Sequence, residues 1–320
     1  MRAAVNRSYG PPEVVHVEDV ATVQPGRGEV RVRVIATPVT RGDTLQRAAA
    51  FPPGMGAIGR MMLGMRRPRH PVLGTVFAGV ITDLGPGADG LAIGDRVSGV
   101  NGLEAGAHAE YVVAKASACT PIPDGVTARD AAATLFGGTT AVYFLDRGRL
   151  RPGARVLVNG ASGEVGLMAL QIARGRGASV TGVTSAANAP LLGRLGADEL
   201  VDYTLEPLSQ HRQRYDLVLD TVGNLGPRDV NRLLTDDGRL VLLRATLPQM
   251  LAPGRRTVTG SSLGRSDGAA ELLRSVEDGT LTPVIDDMLP LDQVVVAHRR
   301  VDSLRKVGSV VLAIADDDGP

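Results

Sequence analysis

The chain reads as an α/β protein in which a doubly wound parallel sheet stands beside a smaller β-rich barrel, and three observations predict this. Period-two alternation fills the first third, short apolar runs alternating with helical segments follow from about Pro121, and the closing run SVVLAI returns to the style of the first part. With 320 residues the chain has room for about two domains and a sizeable core. Gly is plentiful at 40 residues, aromatics are 3% and Trp is absent, so Val, Leu, Ile and Ala must build that core, a palette suited to parallel sheet under helices.

In chain order, EVRVRVIATPV puts Val30, Val32 and Val34 on one face and Glu29, Arg31 and Arg33 on the other, the mark of a half-buried strand. PVLGTVFAGVITDLG and AEYVVA continue in this style with Gly and Pro between them, as an antiparallel barrel requires. Residues 48–70 lack this pattern and end in a basic cluster, which predicts an inserted helix or loop. RVLVN, SVTGV, ELVDY, YDLVLDTV, RLVLL and RTVTG read as the strands of the parallel sheet. Between the first two, Glu164 to Arg174 reads as a helix with Val165, Met168, Ala169 and Ile172 on its buried stripe. AAELLRSVED predicts one more helix before SVVLAI rejoins the barrel, so the boundaries fall at residues 1–121 and 266–320 for the barrel and 122–265 for the parallel sheet.

Composition excludes several classes of function. Lys and Arg total 35 against 34 Asp and Glu, a net charge of +1, which offers no broad field to nucleic acid. Only Lys115 and Lys306 are lysines, a base-composition bias with no functional weight. One cysteine, Cys119, forms no internal disulfide and no Cys-rich zinc site. The opening MRAAVNRSYG has no signal-peptide core, and no run approaches the roughly 18 apolar residues of a membrane span, so a cytoplasmic protein is expected.

The most informative segment is NGASGEVG, where Asn159, Gly160, Ser162, Gly163, Glu164, Val165 and Gly166 lie between a strand and a helix. Glycines there allow a tight turn and close approach of backbone to a pyrophosphate, and the helix N-terminus offers free N–H groups to an anion. With a strand before it and another strand after the helix, this predicts a Rossmann dinucleotide site. At the end of the second strand, Thr184, Ser185 and Asn188 supply hydroxyl and amide donors and no carboxylate, which favours NADPH over NADH.

With these residues in hand, the chain resembles the medium-chain dehydrogenase/reductase superfamily and its zinc-free quinone oxidoreductase-like branch. PGRGEVRVRV, HPVLGTVFAGV, GDRVSGV, GAHAEYVV, FGGTTAVYFL, NGASGEVG, LGADELVDYT, YDLVLDTVGN and GSVVLAI occur in the family's order. The resemblance implies a GroES-like catalytic barrel, a Rossmann domain, a cofactor in the cleft between them, and a homodimer. It implies that Thr140 contacts the nicotinamide carboxamide, that Tyr203 lies near the adenine ribose, and that Val222 and Gly223 line the cofactor, with Ser309 also placed at the cofactor. Where zinc-dependent relatives carry a catalytic Cys and a Gly-His-Glu motif, this chain has Thr40 and Gly74-Thr75-Val76, so no zinc is expected.

Hydride transfer without a metal suits a quinone or an α,β-unsaturated carbonyl, whose conjugation spreads charge onto oxygen, so the expected partner is a small conjugated acceptor. Thr40 is the candidate oxyanion donor. His108 and Tyr111 are weaker ones, His108 also reading as a hydrogen-bonded structural residue, and Asp43 as a cleft or turn residue. The insert's Met55, Met61, Met62 and Met65 read either as a cover over the cleft or as a helix packed on the barrel. Arg66, Arg67 and Arg69 read as a solvated face or as steering for an anionic substrate such as a CoA-linked enone. Two other functions stay open: an NADPH-binding protein without turnover, and a zinc-free alcohol dehydrogenase.

Overall fold

A computed structural model describes residues 1–51, 53–252, 254–262 and 264–316. The chain begins with an antiparallel ribbon, β1 (Arg2–Asn6) and β2 (Val15–Asp19), followed by the eleven-residue strand β3 (Glu29–Val39). Two helices, α1 (Arg41–Ala48) and α2 (Gly56–Leu63), occupy the connection to β4 (Val76–Leu84), so the aperiodic insert is partly helical. Strands β5 (Arg96–Val100), β6 (Tyr111–Lys115) and β7 (Cys119–Pro121) complete this first half before the 20-residue helix α3 (Ala128–Arg147).

The second half alternates strand and helix: β8 (Arg155–Asn159), α4 (Glu164–Gly175), β9 (Ser179–Thr184), α5 (Ala189–Arg194) and β10 (Glu199–Asp202). It continues through β11 (Tyr215–Asp220), α6 (Pro227–Leu233), β12 (Leu234–Leu242), α7 (Leu247–Leu251) and β13 (Thr257–Thr259). These six strands form one parallel sheet in the order β10-β9-β8-β11-β12-β13. Chain order runs outward in both directions from the β8–β11 neighbours, which makes the gap between them the switch point where open α/β sheets bind ligands.

The chain then forms α8 (Ala269–Glu277), β14 (Ile285–Pro290), α9 (Val294–Asp302) and β15 (Ser309–Ala313). As expected, β15 returns to the first sheet, pairing antiparallel with β3 from Val310 opposite Val39 to Ala313 opposite Ala36. The β14-α9-β15 unit was not expected. Its two strands are parallel, a pairing that needs a crossover, and α9 is that crossover. The first sheet is therefore mixed, running β14-β15-β3-β4-β5-β7 with β6 also on β3, where a purely antiparallel barrel was expected.

The stripe expected on α4 is also corrected. Leu167, Met168, Ala169, Leu170 and Ala173 are buried, whereas Val165 and Ile172 are half-buried. The reason is that α4 lies between the parallel sheet and α3 and has two covered sides, so a single apolar stripe does not describe it.

Helix α3 joins the two halves. Ala131, Ala132, Ala133 and Leu135 pack with Ile35, Ala36, Val76 and Ala78 of the first sheet, while Ala141, Phe144 and Leu145 pack with Val156, Leu167 and Leu170. A Cβ on Gly137 would come 2.7 Å from the Glu164 carbonyl oxygen, so α3 and α4 approach to backbone contact there. Gly137→Ala should therefore lower stability by about 1–3 kcal/mol. Gly175→Ala, with nothing within 4 Å of the new methyl, should be neutral or stabilising by up to about 1 kcal/mol. Urea midpoints at unchanged slope would show the difference, and equal midpoints would refute the close-contact reading.

Candidate functional site

Strand β8 ends at Asn159 directly beside Asp220 at the end of β11, and the glycine turn leaves the sheet at this switch point. Gly160 has φ +79°, and a Cβ there would meet Val222 Cγ2 at 2.8 Å. A Cβ on Gly166 would overlap the Gly160 carbonyl, so this glycine lets α4 sit down on the turn. Gly163 differs: its φ is −76° and an added Cβ meets only the Gly160 oxygen at 3.4 Å, an ordinary contact. Packing within the protein does not require glycine at 163, and the space over it is open at the N-terminus of α4. No side chain caps that terminus, whose first N–H groups and positive dipole end suit a phosphate.

The Asp220 carboxylate, absent from the sequence reading, shapes the facing turn. It is fully buried, and Oδ1 accepts hydrogen bonds from the backbone N–H of Val222 and Gly223 at 3.0 Å each and from Asn159 Nδ2 at 2.8 Å. Its Oδ2 accepts from Leu225 N at 3.0 Å. Asn159 donates in addition to Asn224 Oδ1 at 2.7 Å, so its side chain braces the turn. Val222 is held 44% exposed, with Gly223 at φ +89° beneath the Arg244 side chain. Arg41, at the start of α1, pairs with Asp302 at 2.8 Å, and burial lowers its pKa against that pairing.

At the end of β9, Thr184 is buried and Ser185 and Asn188 are half-buried, with Asn188 Nδ2 donating to Thr184 Oγ1 at 3.3 Å and to Ser185 Oγ at 3.4 Å. Tyr203 is 56% exposed beside them, its N–H on the Thr184 carbonyl. Strand β9 carries no carboxylate here, but the neighbouring β10 does: Asp202 Oδ2 accepts from Ala186 N at 3.0 Å. Hydrogen bonds from Thr204 hold the Asp202 carboxyl below its usual range, so an anion borders this corner. Its oxygens are already committed to Ala186 and Thr204.

On the first sheet's side, Thr40 caps helix α1. It is fully buried, its hydroxyl donates to Asp43 Oδ2 at 2.6 Å and accepts from Asp43 N at 3.1 Å, and Asp43 in turn takes the Thr40 N–H, closing a capping box on α1. His108 is fully buried, and Nε2–H donates to the Pro38 carbonyl at 3.1 Å. Its ring meets His298 edge-on at 5.9 Å, and His298 Nδ1 accepts from Arg47 at 3.2 Å. Burial lowers both imidazole pKa values, to about 2 for His298, so both rings are neutral at pH 7. Where the resemblance puts the ligands of a catalytic zinc stand Thr40, Thr75 and Val76; a capped hydroxyl, a second hydroxyl and an isopropyl group do not fit the ion. Burial also pushes the Cys119 thiol up to about 12, far from a thiolate nucleophile.

The remaining candidates lie where the halves meet. Glu164 is buried on Lys306 at 3.2 Å, and burial raises its carboxyl pKa, so its side chain clamps α4 to the closing segment while its N–H stays at the helix end. Ser309 is buried and donates to the Ala133 carbonyl at 3.1 Å, which also makes it a joint between halves. Gly308 N donates to the Ser162 carbonyl at 3.0 Å. Val165 is half-buried on the first turn of α4, and Thr140 Oγ1 pairs with Ser262 Oγ at 3.1 Å. The structure thus brings together Gly160, Gly163, Gly166, Val222 and Gly223, and sets Thr40 apart as a cap.

The buried histidines make stability depend on pH. Unfolded, they titrate near 6.5; folded, they titrate lower, His298 at about 2, so below pH 6.5 the unfolded chain binds more protons than the native one. Stability is complete above pH 6.5 and is lost on acidification, with a slope of up to about 1.4 kcal/mol per pH unit per histidine. Urea midpoints between pH 7 and 5 should fall less steeply in His298→Phe than in wild type; parallel curves would contradict the assignment.

The Alcohol dehydrogenase GroES-like domain family matches residues 26–124, and the Zinc-binding dehydrogenase family matches residues 195–312. Polyketide synthase GfsB of Streptomyces halstedii is 31% identical over 316 residues, which are 93% of this chain but 5% of that synthase, so the chain spans a small part of that relative. A quinone oxidoreductase of Pseudomonas aeruginosa is 29% identical over 338 residues, covering 95% of this chain and 97% of that protein. Among solved structures, the quinone oxidoreductase from Coxiella burnetii superposes with a TM-score of 0.89 at 25% identity, over 98% of this chain and 99% of that one. An NAD-dependent alcohol dehydrogenase gives 0.82 at 31% identity over 98% and 100% of the two chains. A mycobacterial protein complexed with NADPH gives 0.81 at 28% identity, again over 98% and 100%. With a glycine turn at the switch point, a GroES-like first half and these relatives, the chain belongs to the medium-chain dehydrogenase/reductase superfamily as a quinone oxidoreductase-like member.

Proposed function

We propose that the chain is an NADPH-dependent reductase that delivers hydride to a quinone or an α,β-unsaturated carbonyl without zinc, with residues 122–265 as the cofactor domain and residues 1–121 and 266–320 on the acceptor side. The observation that carries this reading is the room for a ligand at Gly163 on an uncapped helix N-terminus, in a chain whose zinc-ligand positions, by the family resemblance, hold Thr40, Thr75 and Val76. A bound nicotinamide supplies the hydride. The chain's part is to hold it, exclude water and tolerate charge on the acceptor oxygen.

In this reading the N–H groups of the first turn of α4 hold the pyrophosphate. Val222 and Gly223 present an edge that a planar ring can lie against, Thr140 with Ser262 orients the carboxamide, and Thr184, Ser185, Asn188 and Tyr203 take the adenine ribose and its phosphate. The Thr40 proton is committed to Asp43 and the His108 proton to Pro38, so neither is offered to an acceptor oxygen. This supports conjugated acceptors, which spread the developing charge themselves, over simple ketones or alcohols, which need a Lewis acid or strong proton donor.

Metal-stripped protein mixed with NADPH and a panel of benzoquinones, naphthoquinones and linear enones should oxidise the cofactor, with NADH giving slower turnover. Gly163→Asp should abolish NADPH binding, because a carboxylate then occupies the open space. Saturable binding without turnover on any acceptor would replace the reductase by a cofactor-binding protein; alcohol-dependent reduction of NADP would replace it by a zinc-free alcohol dehydrogenase. The outer strand β13 carries one unpaired edge of the parallel sheet, and pairing with a second copy there would cover it in a homodimer. Sedimentation should show the dimer, and a monomer at working concentration would remove it.

A further inference from the structure

The side-chain cations of this chain are arginines except at two positions, and one of the two lysines, Lys306, stands in the closing segment before β15. Glu164 stands where the glycine turn enters α4. The fold brings them together across the seam between the halves. The segment from Lys306 to Ser309 runs alongside the turn: Gly163 and Gly308 form a parallel bridge, and Gly308 N donates to the Ser162 carbonyl at 3.0 Å. Lys306 Nζ donates to Glu164 Oε2 at 3.2 Å and also to the Gly308 carbonyl, and the two side chains are only 10% and 5% exposed. Asp286 of β14 anchors the segment from behind, accepting from Val307 N at 3.0 Å while it holds Arg300 at 2.6 and 2.9 Å. A compact ammonium suits this place, because a guanidinium would bring five donors to a buried seam where the ammonium finds two acceptors.

Glu164 is the first residue of α4, so its side chain sets a carboxylate beside the N–H groups that receive the pyrophosphate in the reading above. An unbalanced anion there competes with a phosphate for the same positive helix end. Three groups face the carboxylate: Lys306, the Asp43 carboxylate of α1, whose repulsion adds to burial in raising the Glu164 pKa, and the Ser309 hydroxyl, whose proton goes to the Ala133 carbonyl. Glu164 Oε1 has no hydrogen-bond partner among the described residues, so the charge of this carboxylate rests on Lys306. Lys306 in turn also faces Asp286, which Arg300 already balances. An ammonium from the acceptor-side half thus neutralises a carboxylate at the phosphate end of the cofactor half.

We propose that Lys306 is a positioning residue for the cofactor: it neutralises Glu164 and so keeps the N-terminus of α4 receptive to the pyrophosphate. This rests on the NADPH reading above. Cofactor affinity then depends on a charge balance across the seam as well as on packing, and the two members of the pair act with opposite sign. Without Lys306, Glu164 is harmless while protonated and repels the pyrophosphate once ionised, so affinity falls as pH rises through its titration. Without Glu164, the ammonium remains beside the helix end and adds attraction.

Fluorescence titration of the full chain with NADPH between about pH 7 and 9, above the second ionisation of a phosphate monoester near 6, tests this without turnover. The wild-type dissociation constant should change less than about twofold over that range, whereas Lys306→Met should lose about tenfold in affinity from the lower to the upper end. Glu164→Gln should bind about threefold more tightly than wild type, and the double variant should be insensitive to pH and within about twofold of wild type. Losses in both single variants that the double variant does not recover show a packing clamp and overturn the proposal, as does a Lys306→Met profile parallel to that of wild type. If Lys306→Met does not fold, Glu164→Gln decides alone: tighter binding supports the charge balance, and equal or weaker binding overturns it. Saturable wild-type binding with variants indistinguishable from it removes the role of Lys306 and leaves the cofactor reading standing. If wild type binds neither NADPH nor NADH, the cofactor reading fails and takes this role with it.

Discussion

Helix α3 has to satisfy two sheets at once, and the geometry of the crevice depends on how closely it does so. Its alanines lie on the first sheet, its larger residues Phe144 and Leu145 lie on the second, and Gly137 touches the backbone of α4. Small residues bury little area each, so this joint gains from dispersion between closely spaced backbones more than from transfer of large side chains out of water. The Ala133 carbonyl accepts the Ser309 hydroxyl, so the same helix also fixes where the closing strand begins. A shift of α3 would move the turn at Gly160 and the pair Thr140–Ser262 together.

Two buried carboxylates then set the local backbone on either side of that helix. Asp220 collects three backbone N–H groups and one amide on the cofactor side; Asp43 collects the Thr40 hydroxyl and N–H on the other. Both act as acceptors for donors that would otherwise be stranded inside the protein, where an unmade hydrogen bond costs about 1–3 kcal/mol. The difference lies in what each leaves exposed. Asp220 holds Val222 and Gly223 out toward solvent, whereas Asp43 holds Thr40 inward as the cap of α1.

Much of this was legible in the sequence. Alternation located β3, the βαβ pattern located β8, α4 and β9, and the glycine spacing located the turn, because each signal is local. Asp202 and Arg244 were not legible as neighbours of the site, since their positions depend on β10 pairing with β9 and on the chain beyond β12 returning over Gly223. The cap at Thr40 did leave a signal, a Thr followed three residues later by Asp, but zinc-ligand alignment drew attention to what Thr40 replaces rather than to what it bonds. The stripe on α4 misled because burial on two sides erases the periodicity of one. The parallel β14–β15 pair was hidden because β14, IDDMLP, is short and carries two adjacent aspartates that break its apolar pattern.

The pairing of β15 with β3 has a kinetic side. Until Ser309 to Ala313 have been synthesised, the Ala36–Val39 end of β3 lacks the strand that covers one edge, and α3 lacks the Ser309 hydroxyl that anchors it. The second sheet, by contrast, is complete once Thr259 has emerged. During synthesis all strands of the second sheet are therefore present while the first sheet still has an open edge. Non-local closure of this kind is slow and leaves an edge available to wrong partners.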